Sequence, residues 1–455
     1  DLSTMTEKKI GAGESLTFFD SMLDVYRKNL RDKLTEYYAC PEHDKKMQLR
    51  KDIADIVKQE LVEQGIHIDF EDMDLSANSQ FFLWHTWLHD VFSRPSKEGF
   101  DIVIGNPPYV VYIAKKYFYK ISESYKTYKC ANLYAYCIER GHNILSQSGH
   151  FGMIVPISCI SATKMTPVQD IIKNNRMSWI SNYSLRPAKL FEGAELRLTI
   201  FLDKTSDSEA IYSTIYNKWN NEYRPFLFKT LKYNNVNNIC IPGSIAKLPS
   251  HIYCDIINKM NIKEGNSSLL NYFLNSNTKH VLYYFRAVQY WFKTLDRIPI
   301  NKEDGESCIT GEMKPIYVEN EEYKYAIIAY LSSSLYFSNY LMWSSCQVVN
   351  SRDFQIPFNL QSLSKKEKET LVTLGEQLEE DYQTHSLIKE RTYSKKGRVF
   401  SQEKQHFFIK ESKPIIDEID KLLAKHYGFT EEELDFIINY DIKYRMGDEL
   451  NKDEE

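Results

Sequence analysis

The run Phe100-Asp101-Ile102-Val103-Ile104-Gly105-Asn106-Pro107-Pro108-Tyr109 holds the residues best suited to chemistry. Its first half is short, apolar and β-branched, which reads as a buried parallel strand. The Gly-Asn-Pro-Pro turn stops it. In open α/β sheets ligand sites lie just beyond the carboxyl ends of strands, so the polar residues fall where a site is expected. Two prolines remove backbone donors and stiffen the loop. The Asn106 side-chain oxygen and the Pro107 carbonyl then stand as two acceptors at a fixed separation, matched to the two hydrogens of a planar amino group. Accepting both pushes that nitrogen toward a tetrahedral, more nucleophilic form. Tyr109 offers a flat face, worth about 1–3 kcal/mol when a base stacks on it. A proline-rich turn with Tyr109 in the core is the purely structural alternative.

These residues need a scaffold, and the flanking sequence supplies one. Residues 132–146 read as a helix ending near Ser148-Gly149, and Phe151–Val155 as a second buried strand closed by Pro156. Residues 165–175 suit a helix, and Trp179–Leu185 and Arg197–Leu202 two more strands. Such alternation argues an α/β layer with a mainly parallel sheet. Upstream, Phe19, Met22, Leu23, Tyr26, Leu30, Leu34 and Tyr37 keep helical spacing, Pro41 breaks it, and Leu49, Ile53, Ile56, Val57 and Leu61 resume it. That is a helical hairpin over about 17–75, its interleaved charges marking solvated faces. Beyond 205 the alternation stops, and residues 206–360 read as short strands, Asn-rich turns and many aromatics. A long helix is expected over 364–395, opened by a Ser364/Glu367 capping box, and a helical tail over 412–440 with a second box at Thr430/Glu433.

Composition narrows the function classes. The 455 residues carry 57 Lys plus Arg against 62 Asp plus Glu, a net charge of −5, which excludes a uniformly basic nucleic-acid coat but not a local basic strip. No apolar run approaches the roughly 20 residues of a membrane span, and the N-terminus has no secretory pattern. The eight cysteines form no CxxC pair and no zinc spacing, so they read as reduced thiols of a cytoplasmic protein without a structural metal. Aromatic residues are 14%, including 32 Tyr, which fits either a large core or base stacking.

The motif resembles the catalytic motif of S-adenosylmethionine-dependent N6-adenine DNA methyltransferases of type II restriction–modification systems. The likeness continues in order through Phe82–Phe92, Ala131–Gly141, His150–Pro156, Leu190–Ala194 and Arg197–Ile200. A looser likeness to a TaqI-like target-recognition domain runs through Leu331–Phe337, Gln355–Phe358 and Ile416–Glu433. The resemblance implies a Rossmann-like methyltransferase sheet lacking its N-terminal strands (residues 1–205), followed by an α+β target-recognition domain with C-terminal helices (206–455). It implies that Asn106 and Pro107 hold the target adenine amino group, Pro108 shapes the loop, and Tyr109 stacks on the flipped base. Phe191 is the candidate for the opposite stacking face, a core phenylalanine being the alternative. The methyl donor implied is S-adenosyl-L-methionine, with Asn106 and Glu14 as its contacts. The sequence departs from the family in lacking the glycine-rich cofactor loop. The nearest glycines, Gly11 and Gly13 beside Glu14, resemble a later segment. The expectation is therefore a chain that starts inside the catalytic domain and does not bind the cofactor alone. Its cofactor-binding part, and a possible nuclease, would lie upstream or in a partner subunit.

Double-stranded DNA is the partner this reading requires. Residues 271–300 hold eight aromatics with Lys279, Arg286, Lys293 and Arg297 against Asp296 alone, a pattern suited to phosphates and base edges. A sheet with core aromatics and solvated lysines is the alternative. Arg352 could read guanine, or pair with Asp353. Arg391, Lys395, Lys396 and Arg398 end the long helix and enter a loop, where they could track the DNA backbone; a solvated helix end is the favoured reading. Glu322-Tyr323-Lys324 is the only fragment of a nuclease pattern, and it lacks a supporting Asp, so no nuclease is assigned. Two other functions keep the same motif or region: an amino-methyltransferase acting on RNA or protein glutamine, and a non-catalytic DNA-recognition fragment.

Overall fold

The computed structural model describes residues 18–63, 84–95, 97–116, 121–239, 241–265, 267–308, 311–395 and 398–447. The chain divides into two compact units, residues 1–103 with 140–151, and residues 104–139 with 152–455.

In the first unit, α1 (Phe18–Ala39) and α2 (His43–Glu63) form the expected hairpin, with Pro41 in the break. Leu30 and Leu34 of α1 pack against Ile53, Ala54 and Val57 of α2, and Trp87 joins them. Ile53 is fully buried, and truncating such a residue to alanine costs about 2–5 kcal/mol. The charged face stays wet, with Lys33 reaching Asp52 across the hairpin at 3.1 Å. Two short helices follow, α3 (Trp84–Trp87) and α4 (His89–Phe92), then β1 (Phe100–Gly105). Arg94 and Lys97 pair with Asp101 at 2.9 and 2.5 Å and fix the entry to β1.

The second unit contains the end of β1, the start of α5 (Leu133–Asn143), the end of β2 (Leu145–Pro156), and α6 (Ser158–Ser161) and α7 (Thr166–Lys173). Its strands β3 (Arg176–Tyr183), β4 (Leu198–Thr205), β5 (Ala210–Asn217) and β6 (Asn234–Asn235) complete a six-stranded sheet of order β1-β2-β4-β3-β5-β6. The sheet is mixed rather than mainly parallel, since β3 runs antiparallel to β4 and parallel to β5. Short β-branched runs mark buried strands of either sense, so alternation alone overstated the parallel share. A polar stitch crosses the centre: fully buried Asn182 donates to Ser213 Oγ (3.2 Å) and the Thr214 carbonyl (3.0 Å) and accepts from Thr199 Oγ1 (2.9 Å). The domain boundary expected at 205 falls between β4 and β5, two strands of this one sheet.

The rest of this unit is richer in helix than expected. Within 206–360 lie α8 (His251–Glu264), then β7 (Val281–Phe285), β8 (Thr294–Leu295), β9 (Asn301–Glu303), β10 (Glu306–Ser307) and β11 (Met313–Tyr317), and then α9 (Glu321–Ser332) and α10 (Ser334–Trp343). Both α9 and α10 are apolar nearly all round, so they lack the one-sided stripe that announces a surface helix. Ala326–Met342 is buried throughout. Asp420 caps α10 through Ser334 N (2.9 Å), and burial lifts its carboxyl to about 6.

The long helix α11 (Lys365–Thr384) starts at its capping box and stops eleven residues short of the expectation. It lies so close to α9 that a side chain at Gly375 would strike the Tyr325 carbonyl. Residues 386–395 are strand β12 (Ser386–Lys395), paired in register with β13 (Arg398–Phe407). Ile388, Thr392 and Tyr393 are β-branched or aromatic, which a strand accommodates, while the charged residues between them fit either element. The tail is helical as expected: α12 (Lys413–Tyr427), α13 (Glu431–Ile438) behind the Thr430/Glu433 box, and α14 (Ile442–Arg445). The other sheets run β10-β9-β13-β12 and β11-β7-β8.

Candidate functional site

The Asn-Pro-Pro-Tyr loop leaves the end of β1, as the motif requires, but β1 is not a buried strand. Ile102 and Ile104 are 64% and 75% exposed. β1 ends the strand order, with β2 as its one neighbour among the described strands.

Within the loop Pro107 is buried, Asn106 and Pro108 are exposed, and Tyr109 is half-buried. The Tyr109 hydroxyl has two acceptors in reach, Asn106 Oδ1 at 2.6 Å and the Ile154 carbonyl of β2 at 2.9 Å. It therefore ties the motif asparagine to the sheet. A carboxamide oxygen has two acceptor sites, so Asn106 Oδ1 retains one. Burial raises the Tyr109 pKa, which keeps the hydroxyl a donor. The Tyr109 ring packs on a cluster of Tyr183, Ala188, Leu190, Leu198, Trp219 and Leu227.

The segment after Tyr109 is held from below. Leu133 N donates to the Val110 carbonyl (2.9 Å), and Tyr112 N to the Ala131 carbonyl (3.0 Å). Buried Glu139 of α5 accepts from Lys126 N (3.0 Å), Thr127 N (2.8 Å) and Thr127 Oγ1 (2.7 Å). Sequence reading placed Glu139 in a helix but gave it no task; an acid on a helix otherwise lined with apolar residues was the available signal.

Phe191 is 38% exposed and stands next to buried Leu190, so it is a surface ring and not a core one. Arg224 holds its loop: Nη1 donates to the Lys189 carbonyl (2.9 Å) and Nη2 to the Leu190 carbonyl (2.5 Å). Arg224 sits in a 3-10 segment, Asn221–Thr230, which also exposes Phe226 and Phe228. No sequence motif marks Arg224. A cavity of about 570 Å³ adjoins this loop, with Arg186, Lys189, Arg224, Glu192 and Glu195 around it.

A methyl donor of the S-adenosylmethionine type needs an enclosing wall, and these residues do not make one. Ile104, Gly105, Asn106 and Pro108 form an open surface. Glu14 lies outside the described residues.

The five expected DNA contacts are dispersed in role. Lys279 is exposed ahead of β7. Arg286 is half-buried, donating from Nη1 to the Gly311 carbonyl at 3.3 Å. Lys293 lies 3.7 Å above the Phe285 ring, and burial lowers its pKa to about 8. Arg297 is paired with Asp296 at 2.7 Å. Arg352 is committed to the interior: it donates to Thr163 Oγ1 (3.1 Å) and to the carbonyls of Gly243 (2.7 Å), Ser161 and Trp343. It makes no surface pair with Asp353, whose carboxylate instead accepts from Asn350 N at 2.8 Å. Two of the strip's eight aromatics are core, Phe292 meeting Tyr336 at 4.7 Å and Tyr284 meeting Phe354 at 5.1 Å, and the other six are half-buried. Among the described residues no group of three or more His, Cys, Asp or Glu could hold a metal, the cysteines are free thiols, and no helix is long and apolar enough to cross a membrane.

Solved structures similar to this chain include three DNA-bound restriction–modification enzymes or DNA complexes. A nuclease-deletion mutant of the Type ISP enzyme LlaGI, in complex with a DNA substrate mimic, is 12% identical, with 78% of this chain and 51% of that chain covered and a TM-score of 0.38. The DrdV–DNA complex is 9% identical, with 86% and 62% covered and a TM-score of 0.34. The Type IIL enzyme MmeI in complex with DNA is 11% identical, with 98% and 81% covered and a TM-score of 0.40. The chain thus spans about half the length of the LlaGI chain and about three-fifths of the DrdV chain. No curated protein matches it. Residues 17–191, which include the Asn-Pro-Pro-Tyr loop, match the family model of the Eco57I restriction-modification methylase.

Proposed function

We propose that the chain acts in site-specific DNA methylation, modifying the N6 amino group of an adenine turned out of the duplex, within a restriction–modification or phage-defence system. One observation carries the reading: the Asn106 carboxamide sits exposed at a strand end, with its oxygen held by the Tyr109 hydroxyl at 2.6 Å. The remaining acceptor site of Asn106 Oδ1 and the Pro107 carbonyl take the two amino hydrogens. Pro108 keeps the loop from donating or bending. The Tyr109 face and the exposed Phe191 ring are the proposed stacking surfaces for the base, and Arg224 holds the Phe191 loop in place. S-adenosyl-L-methionine is the proposed donor; when bound it supplies an electrophilic methyl group. Asn106 and Glu14 are its proposed contacts in this chain; the sequence lacks the glycine-rich cofactor loop of the family it resembles, so isothermal calorimetry on this chain alone should show no micromolar binding of the donor.

The test is Asn106→Ala in the enzyme with its cofactor-binding part present. Loss of a group aimed at the reacting centre costs about 10²–10³-fold in rate. Methyl transfer to duplex DNA should fall by at least that much, while DNA affinity changes less than about twofold. Methylation within a few-fold of the unmodified enzyme would end the assignment. Duplex DNA, RNA and a glutamine peptide assayed side by side separate the proposed substrate from its two competitors.

A further inference from the structure

The β12–β13 hairpin carries a charge pattern that no part of the proposed site uses. Its register is continuous over ten residue pairs, from Ser386 opposite Phe407 to Lys395 opposite Arg398. β9 pairs with β13 only at Gln402–Lys404. Asp304 donates its backbone N–H to the Ser401 carbonyl and accepts from Ser401 N, each at 2.9 Å; beyond that, Arg391–Lys395 and Arg398–Phe400 pair with no third strand among the described residues. The sequence from Arg391 to Ser401 holds Arg391, Lys395, Lys396 and Arg398 and no acidic residue, in a chain of net charge −5.

Strand alternation sorts the residues by face. Lys389, Arg391 and Tyr393 share a face, and their partners across the ladder are Lys404, Gln402 and Phe400. The opposite face carries Glu390 across from Glu403. Lys389 directly opposite Lys404 is a like-charge pair that costs stability in a sheet unless an anion lies between or over it. A second sign of the same field comes from His406, on the basic face. Burial and then Lys389, Lys404, Arg391 and Lys293 depress its pKa. The acids around the basic face are Glu312, which meets Lys404 at 2.6 Å, and Asp304, whose carboxylate is taken by Ser401 N at 2.9 Å, with Glu303 on β9 and Glu306 on β10. Tyr393 and Phe400 stack across the ribbon at 5.8 Å, which stiffens the tip without a third strand. Arg391 and Tyr393 are exposed.

We infer that this ribbon is a DNA-binding element whose basic face, Lys389, Arg391 and Lys404 with Tyr393 beyond them, enters the major groove of double-stranded DNA. The B-DNA major groove is about 12 Å wide and admits a two-stranded ribbon, whereas the minor groove, about 6 Å wide, does not without deformation. Lysine and arginine on both strands reach the phosphates of the two groove walls, and Arg391 is placed to meet base edges. The partner follows from charge complementarity and ribbon width. The inference rests on the DNA-methyltransferase reading for its biological setting, and not for its physics.

The test uses duplex binding by the whole chain, read as affinity against salt concentration. The double substitution Lys389→Gln/Arg391→Gln removes two cations from the basic face. Affinity should fall about tenfold or more, and the slope of log affinity against log salt should drop by about two. Glu390→Gln, on the other face, is the matched control and should leave binding within about twofold or tighten it. If the double variant loses thermal stability, Arg391→Gln alone, at an exposed position, gives the same test with a slope change of about one. Unchanged affinity and slope would overturn the inference. Competition decides the groove: displacement by methyl green supports it, and displacement by netropsin alone overturns the major-groove assignment. Asn106→Ala separates this from the activity, because it should remove methylation and keep DNA binding. A hairpin variant that binds normally while the enzyme still methylates sinks the ribbon and spares the reaction.

Discussion

The Asn106–Tyr109 loop and the strip from Lys279 to Arg297 are both polar and aromatic, yet they treat their polar groups in opposite ways. In the loop a buried proline and a tyrosine hydroxyl fix the backbone and one side chain, and the Asn106 carboxamide is left at the surface. In the strip much of the charge is consumed by the protein itself. Arg297 is paired with Asp296, Arg286 with a carbonyl, and Lys293 with aromatic faces. Polar residues held by local backbone geometry are available to a ligand, while those arriving through tertiary packing are mostly already satisfied. The β12–β13 hairpin resembles the loop in this respect at Arg391, which is exposed.

The largest effect that would break this comparison is at Arg352. Its guanidinium reaches one hydroxyl and three carbonyls. Hydrogen bonds to a charged group contribute about 1.5–3 kcal/mol each, not additively. Arg352→Ala should lower unfolding stability by about 3 kcal/mol or more in urea titrations, whereas Arg297→Ala, an exposed pair, should stay within about 1 kcal/mol. Normal stability of Arg352→Ala with a loss of DNA affinity would return this arginine to the DNA-contact set.

A second effect sharpens what satisfaction means in the interior. Glu379 of α11 is buried beside Asp296, and burial pushes its pKa up to about 8. The folded state therefore holds the Glu379 proton more tightly than the unfolded chain does. That contribution is complete below the ordinary value of 4.5 and is lost as pH rises toward about 8. Across this window stability should fall by at most about 1.4 kcal/mol per pH unit. Glu379→Gln should flatten that part of the profile in urea titrations from pH 5 to 8.5, and an unchanged slope would place the proton elsewhere.

The same contrast explains what could be read from sequence. Asn106–Tyr109 was legible because prolines and a strand end act over a few residues. So were the capping boxes at Ser364 and Thr430, where three-residue spacing is the whole mechanism. Arg352 was not, since its acceptors lie as far away in sequence as Ser161. The exposure of Ile102 and Ile104 was not, because an apolar run does not say how many neighbours its strand has. α9 and α10 were missed because helices buried on all sides have no stripe, and the β12–β13 hairpin because charged residues fit helix and strand alike. The tyrosine excess was legible only as a total: Tyr330, Tyr336 and Tyr340 are core, and Tyr109 alone among the four stands at the motif.

The smallest effect bears most directly on the loop. Tyr109→Phe keeps the ring and its packing but removes the hydroxyl that meets Asn106 Oδ1 and the Ile154 carbonyl. Two things change together: the carboxamide loses its fixed orientation, and a sheet carbonyl loses a donor. A neutral hydrogen bond is worth about 0.5–1.5 kcal/mol. The methylation rate should therefore fall by about tenfold or less, with DNA affinity unchanged and the drop in kcat rather than KM. Tyr109→Ala, which also removes the stacking face, should cost more, and the difference between the two variants isolates the ring from the tether. If Tyr109→Phe and Tyr109→Ala lose activity equally, the tyrosine acts only through Asn106. If Tyr109→Phe is fully active, the bonds seen at its hydroxyl belong to folding, and the carboxamide must be oriented by the DNA itself.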